Sequence, residues 1–256
     1  MTFRIINTVI ILLLLIVAVV LLFNDLSVAP VVAFAIIYIL FLLVVSTNIR
    51  FNFFVKAHHN NPVVSEKKIA LSFDDGPVEN TLRILDILDK FQVKTIFFCI
   101  GKNVKKHPEI LQEIIARGHI IGNHSYTHTR KMGFLKAGQV LEEIRSCDEI
   151  VHRVTGLKMN LFRPPFGVIN PKTKRALKIT GHKVIGWRVR SYDAILNSEE
   201  IILKRIKKKL KSGDVVLLHD NKPVTAEVLE QLLIYLQKHN FQVVRADNLF
   251  DIDAYT

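Results

Sequence analysis

The chain has 256 residues, half of them hydrophobic, with 35 Lys and Arg against 23 Asp and Glu for a net charge of +12. Residues 1–49 carry only Arg4 and Asp25 as formal charges, so the positive balance belongs wholly to the remainder. That split excludes a purely soluble globular protein.

In chain order, residues 5–23 and 30–48 each approach the ~20 mostly apolar residues that a helix needs to span a bilayer. Asn24, Asp25 and Pro30 lie between them and favour turns. Residues 1–49 are therefore predicted as a transmembrane hairpin. A cleaved secretory signal is the competing possibility, because Arg4 gives a weakly positive start. Against it, the first run exceeds the ~7–15 residues of a signal core, and a second apolar run follows. Residues 50–67 are predicted as a polar linker, and residues 68–256 as one domain long enough to bury a substantial core. The two cysteines, Cys99 and Cys147, lack any paired spacing and are expected to be buried or idle thiols.

Within the domain, short apolar runs predict strands at 68–73, 95–100, 119–123, 161–163, 183–187, 214–219 and 241–245. Helical periodicity predicts helices at 80–91, 107–117 and 137–155. The first carries Leu82, Leu85 and Leu88 on one stripe, the second has Pro108 where a first turn tolerates it, and the third spaces Val140, Ile144, Cys147 and Val151 by three and four. Gly118, Gly156, Gly181 and Gly213 follow helical segments and suit the left-handed stop position. Alternating strands and helices argue for an α/β fold with a mainly parallel sheet. Seven such units can close into a barrel, whose C-terminal strand ends would share one mouth.

The predicted strand ends carry chemistry. His124 and His128 are four apart and would point the same way if the segment after the third strand turned helically. Alone, such a pair is commonly an ordinary surface or core feature. Asp75 changes its weight, because two neutral imidazoles and one carboxylate can grip a cation while leaving positions open for water and substrate. Asp74-Asp75-Gly76-Pro77 is equally compatible with a plain acidic turn.

Four segments in order then carry a family resemblance: Ile69-Ala70-Leu71-Ser72-Phe73-Asp74-Asp75-Gly76-Pro77, His124-Ser125-Tyr126-Thr127-His128, Arg163-Pro164-Pro165-Phe166 and Leu217-Leu218-His219. They resemble four of the five motifs of polysaccharide deacetylases, the NodB-homology domain or carbohydrate esterase family 4. The resemblance implies a distorted (β/α) barrel of seven or eight strands and hydrolytic removal of an acyl group from an N-acylated amino sugar. It implies that Asp75, His124 and His128 bind a divalent metal, commonly zinc, and that Asp74 is the general base. His219 would protonate the departing amine, and the backbone N–H near Phe166 would help hold the developing oxyanion. Arg163 would orient Asp74 through a fork-shaped contact, and Asp193 would orient and charge-tune His219. The fourth motif departs from the family pattern, usually Asp-x-x-Asp-Trp: here the segment is Arg190-Ser191-Tyr192-Asp193-Ala194. That puts substrate contacts in doubt more than the chemical step.

Arg4, Arg50 and Lys56 flank the apolar runs on the domain side while the loop between the runs offers only Asp25, so the positive-inside rule leans towards a cytoplasmic domain. Most relatives of the resembled family act outside the cell, which pulls the other way. A cytoplasmic site would meet a lipid-linked sugar rather than wall polymer. The run Lys204-Arg205-Ile206-Lys207-Lys208-Lys209-Leu210-Lys211 is read as a helix capped by Asn197 and Glu200. Its inner stripe is Ile202, Ile206 and Leu210, and its basic outer face suits anionic headgroups. Nucleic-acid binding finds no motif. The alternative to an enzyme is a metal-holding, non-catalytic glycan-binding membrane protein, motivated by Arg190 and Ala194. Of the other histidines, His58 and His59 fall in the linker, His107, His152, His182 and His239 on or just after helices where exposure is expected, and His119 at the strand end away from the mouth.

Overall fold

Apolar residues near the start of the chain form two helices, α1 (Phe3–Phe23) and α2 (Ala29–Thr47). The computed structural model describes residues 3–24 and 26–256; Asp25 and the side chain of Arg4, on which the charge asymmetry partly leans, lie outside what is described. Both helices are long and apolar enough to cross a membrane, and their apolar side chains are largely exposed. The Tyr38 hydroxyl donates to Asn7 Oδ1 at 3.0 Å, a polar tie between the two helices. Pro30 sits in the first turn of α2, where its missing N–H costs nothing.

The remaining elements alternate as expected. They are β1 (Ala57–His58), β2 (Lys68–Asp74), α3 (Glu79–Lys90), β3 (Ile96–Cys99), α4 (Gly101–Lys106), α5 (Pro108–Ala116), β4 (Ile120–Asn123) and α6 (Ala137–Thr155). There follow β5 (Leu161–Phe162), α7 (Pro171–Thr180), β6 (Lys183–Ile185), β7 (Val189–Arg190), α8 (Glu199–Lys209), β8 (Val215–His219), α9 (Pro223–Lys238), β9 (Gln242–Val243) and α10 (Ala246–Phe250). The strands form one sheet in the order β1-β6-β5-β4-β3-β2-β8-β7, every pairing parallel, with β9 attached to the start of β2. This is the curled, distorted α/β barrel that the sequence predicts.

Two details differ, for one reason. The sheet has nine strands among the described residues rather than seven or eight, and residues 50–67 are not a free linker. Ala57 and His58 pair with Val184 and Ile185. Gly186 N–H then donates to His58 O at 2.8 Å, and Val215 N–H to His59 O at 3.2 Å, so this segment fills the gap between β6 and β8. The predicted strand at 183–187 accordingly ends at Ile185, bends, and resumes as β7 against β8. Backbone groups at a barrel seam must find partners, and the segment after the hairpin supplies them.

Side-chain alternation along the strands sorts core from mouth. Ile69, Leu71 and Phe73 pack outward among the helices, while Ala70 joins the interior cluster. The same period of two points Ser72 and Asp74 inward. In β8, Val216 and Leu218 pack outward, so Val215 and His219 take the inner face. α6 keeps its predicted stripe of Val140, Ile144, Cys147 and Val151 buried, and ends on Gly156 at φ 73°. α8 is capped by Ser198, whose hydroxyl accepts from Ile201 N–H at 3.4 Å, not by Asn197. Ile202 and Ile206 form its buried stripe. Val45 and Ile49 at the end of α2 are buried with Phe54, Phe162 and Val184, and Ile169 N–H donates to Ser46 O at 2.9 Å. The hairpin is thus packed onto the barrel.

Candidate metal and active centre

Asp74 ends β2 and is the register partner of His219 at the end of β8, so the two are neighbours at the mouth. Asp75 follows with φ 79°. This left-handed turn breaks the strand alternation that would otherwise send Asp75 to the opposite face. His124 Nε2 stands 3.6 Å from Asp74 Oδ2 and 3.5 Å from Asp75 Oδ1, and His128 Nε2 stands 3.4 Å from the same Asp75 oxygen. Asp75, His124 and His128 offer ligand atoms all within 4.8 Å of one another. These separations are long for hydrogen bonds and suit donors around one ion.

The donor set fits a divalent cation on further grounds. Asp75 Oδ1 is buried without a hydrogen-bond partner. His124 Nδ1 is 2.8 Å from Arg163 O, so this nitrogen carries the hydrogen and Nε2 keeps its lone pair for the site. Burial, aided by His124, pushes His128 down to about 4, so it is neutral near pH 7. Burial opposes the charge on Asp75, but the His124 and His128 rings hold it well below the usual carboxylate range. Burial lowers His124 too, yet Asp74 and Asp75 outweigh it and raise it. A proton on His124 between two carboxylates occupies the place a cation would take.

The two histidines do not meet through a helical turn. Residues 124–128 form an irregular loop with Ser125 at φ 64° and His128 at φ 50°. Glu143 on α6 holds it: its carboxylate accepts from Tyr126 N–H at 3.1 Å, Thr127 N–H at 2.8 Å and Thr127 Oγ1 at 2.7 Å. Asn123 Oδ1 accepts from Ser125 N–H at 2.8 Å, and Ser125 Oγ from His128 N–H at 3.1 Å. These local bonds compete with helix formation.

Arg163 is fully buried under the centre. Its contact with Asp74 is single, Nη1 to Oδ1 at 2.7 Å, rather than the predicted fork. The remaining donors go to Ser72 Oγ at 2.9 Å, Ile185 O at 3.0 Å and Gly186 O at 2.9 Å. The guanidinium is shared because the bend after β6 presents carbonyls that need donors. Opposite, His219 Nδ1 lies 2.8 Å from Asp193 Oδ1, and Asp193 Oδ2 accepts from His219 N–H and Thr225 Oγ1, each at 2.7 Å. Ser191 Oγ donates to Asp193 Oδ1 at 2.6 Å. Burial disfavours the charged forms of both partners, but their mutual bond raises His219 and lowers Asp193. Phe166, at φ 58° and half exposed, stands at the rim with its ring 4.7 Å from that of His128.

All eight predicted site residues therefore gather at one mouth. Sequence reasoning missed Glu143, Asn221, whose Nδ2 donates to Asp75 Oδ2 at 3.2 Å, and Asn103, whose Nδ2 donates to Asp75 O at 2.7 Å. It gave no role to Asp220, adjacent to His219, whose carboxyl burial pushes up to about 7 and which accepts from Thr81 Oγ1 at 2.6 Å. Adjacency to a motif is the one signal that marks Asp220 and Asn221. His182, expected to be exposed, is buried against Phe162 and lies 3.3 Å from Asp148.

The family profile described as polysaccharide deacetylase matches residues 61–185. Over 190 residues the chain is 33% identical to the peptidoglycan-N-acetylmuramic acid deacetylase PdaA of Bacillus subtilis, covering 72% of each protein. The chain belongs to the polysaccharide deacetylase family. The Bc1960 peptidoglycan N-acetylglucosamine deacetylase shares the fold with a TM-score of 0.73 at 27% identity, over 78% of this chain and 94% of that one. The peptidoglycan deacetylase PdaC of Bacillus subtilis superimposes with a TM-score of 0.69 at 29% identity, over 73% of this chain and 91% of the solved one. The chain spans only 40% of the length of the curated PdaC sequence that it matches.

Proposed function

We propose that this protein is a metal-dependent N-deacylase, removing an acyl group, acetyl by preference, from an amino sugar in a glycan or lipid-linked sugar. The observation that carries the reading is the cluster of Asp74, Asp75, His124 and His128 over a buried Arg163, facing a carboxylate-paired His219. A divalent cation held by Asp75, His124 and His128, with zinc the expectation, supplies Lewis acidity towards the acyl carbonyl and water.

The chain's own groups do the rest. Arg163 occupies Asp74 Oδ1 and leaves Oδ2 to take the proton of the attacking water. The water oxygen bonds to the acyl carbon as the carbonyl π pair moves onto its oxygen, and return of that pair then breaks the C–N bond. His219 gives a proton from Nε2 to the departing nitrogen, because an amide anion is a poor leaving group. Asp193 holds Nδ1 and stabilises the imidazolium needed for that transfer. The Phe166 N–H is assigned to the oxyanion, on a turn made rigid by Pro164 and Pro165.

The test is release of acetate from N-acetylated chitooligosaccharides by the metal-loaded full chain in detergent, beside Asp74→Asn. A loss of ~10²–10⁴-fold in kcat/KM is expected of a missing general base, with metal content unchanged. Equal rates in both proteins would favour the non-catalytic, glycan-binding alternative.

A further inference from the structure

Beside the mouth lies a second cavity of about 220 Å³ that the proposed chemistry does not use. Its walls come from three places: the end of α2 with Arg50, the β6–β7 segment with Trp187 and Arg190, and α8 with Arg205 and Lys209. Phe166 is the shared partition, lining this cavity while its ring lies 4.7 Å from that of His128, tilted by 51°. No acidic residue lines the cavity. Arg188 pairs with Asp214 at 3.2 Å, but among the described residues no carboxylate forms an ion pair with Arg50, Arg190, Arg205 or Lys209.

The cations are organised rather than scattered. Tyr192 is flanked by two guanidiniums, with Arg205 4.0 Å and Arg190 4.9 Å from the ring centroid. Arg205 Nε also donates to Arg190 O at 3.2 Å. Contact with the aromatic ring holds both guanidiniums in place and leaves their Nη donors without a carboxylate partner. Two like charges gathered at one ring repel one another, and a multiply charged anion in the cavity they line would offset that repulsion. Planar, multi-donor guanidiniums match phosphate oxygens in particular. Arg190 takes the place of an acid in the family pattern, so the departure that sequence alone leaves unexplained has a destination.

We propose that this cavity binds a phosphoryl group presented at the membrane surface. The location specifies the surface: Asn48, Ile49 and Arg50 line the cavity immediately after a helix long and apolar enough to cross a bilayer. A phosphate seated there lies one side chain away from the metal-ligand cluster. The phosphoryl group comes from the carrier end of a lipid-linked amino sugar or from an anionic phospholipid. The inference rests on the deacylase reading only for what the neighbouring site does with the sugar.

The test is binding of inorganic pyrophosphate to the detergent-solubilised full chain, stripped of metal so that no ion at Asp75, His124 and His128 contributes. Calorimetry should show saturable binding, at least tenfold weaker in Arg190→Gln/Arg205→Gln. Arg50→Gln, at an exposed position, should weaken it in the same direction and stands in if the double variant fails to fold. No binding, or equal binding in the folded variants, overturns the site. Competition identifies the source. Displacement by N-acetylglucosamine 1-phosphate supports a sugar phosphate, and displacement only by short-chain phosphatidylglycerol in the micelles supports a lipid headgroup. Because binding is read without catalysis, intact pyrophosphate binding with no acetate release would sink the deacylase reading and leave this one standing.

Discussion

Asp74 and Asp75 are adjacent yet face one cavity, because the first ends a strand and the second turns out of it at φ 79°. Each is then assigned its own proposed task by its partners, Arg163 for Asp74 and two imidazoles for Asp75. The same logic makes His219 testable. Its proton is favoured by Asp193 against the penalty of burial, so activity should fall on the alkaline side as His219 deprotonates. Asp193→Asn should move that limb to lower pH and reduce kcat/KM near neutrality by ~10²-fold or more. A merely structural loss would lower the profile without shifting it. His119 is the opposite case. Burial pushes it down to about 4, and Thr95 N–H donates to its Nδ1 at 3.1 Å. The unfolded chain takes up the proton first, so the stability this group contributes is present above its ordinary pKa of ~6.5 and lost as pH falls towards 4. Histidine NMR should find His119 still neutral at pH 5.5, and a His119 resonance that titrates at its ordinary value would overturn this.

At the scale of elements, the loop after β4 shows why spacing alone misleads. Four residues separate His124 and His128, which suggests a helical face; left-handed residues and the Glu143 carboxylate bring the rings together instead. Glu143→Gln keeps one acceptor oxygen and loses the charge that gathers three donors. Supporting partners of metal ligands typically alter affinity by ~10–100-fold, so chelator competition should find zinc retained that much more weakly, with the far-ultraviolet spectrum unchanged. Unchanged affinity would remove Glu143 from the positioning of His128. The segment before β2 makes a similar point, since short polar runs without periodicity carry no strand signal, yet residues 57–61 complete the barrel seam.

For the whole molecule, the packing of Val45 and Ile49 against the barrel ties the mouth to the end of α2. Arg50 and Lys56 after α2 lead to the expectation of a cytoplasmic domain, and the peptidoglycan deacetylase relatives to the opposite one. A C-terminal reporter active only in the cytoplasm should be active, and an inactive one beside an active periplasmic or surface reporter would reverse the placement. The strand–helix alternation, the apolar hairpin and the residues that meet at the mouth were legible in the sequence. Periodicity is imposed by local geometry, and strand ends in a parallel barrel converge wherever the chain places them. Glu143, Asn221 and the cavity around Tyr192 were not, because a polar residue on a helix or loop does not reveal which distant group it will face. The seam at residues 57–61 and the sharing of Arg163 between Asp74 and two carbonyls were decided by tertiary structure alone: they follow from where backbone groups are left needing partners, and only the folded barrel creates that need.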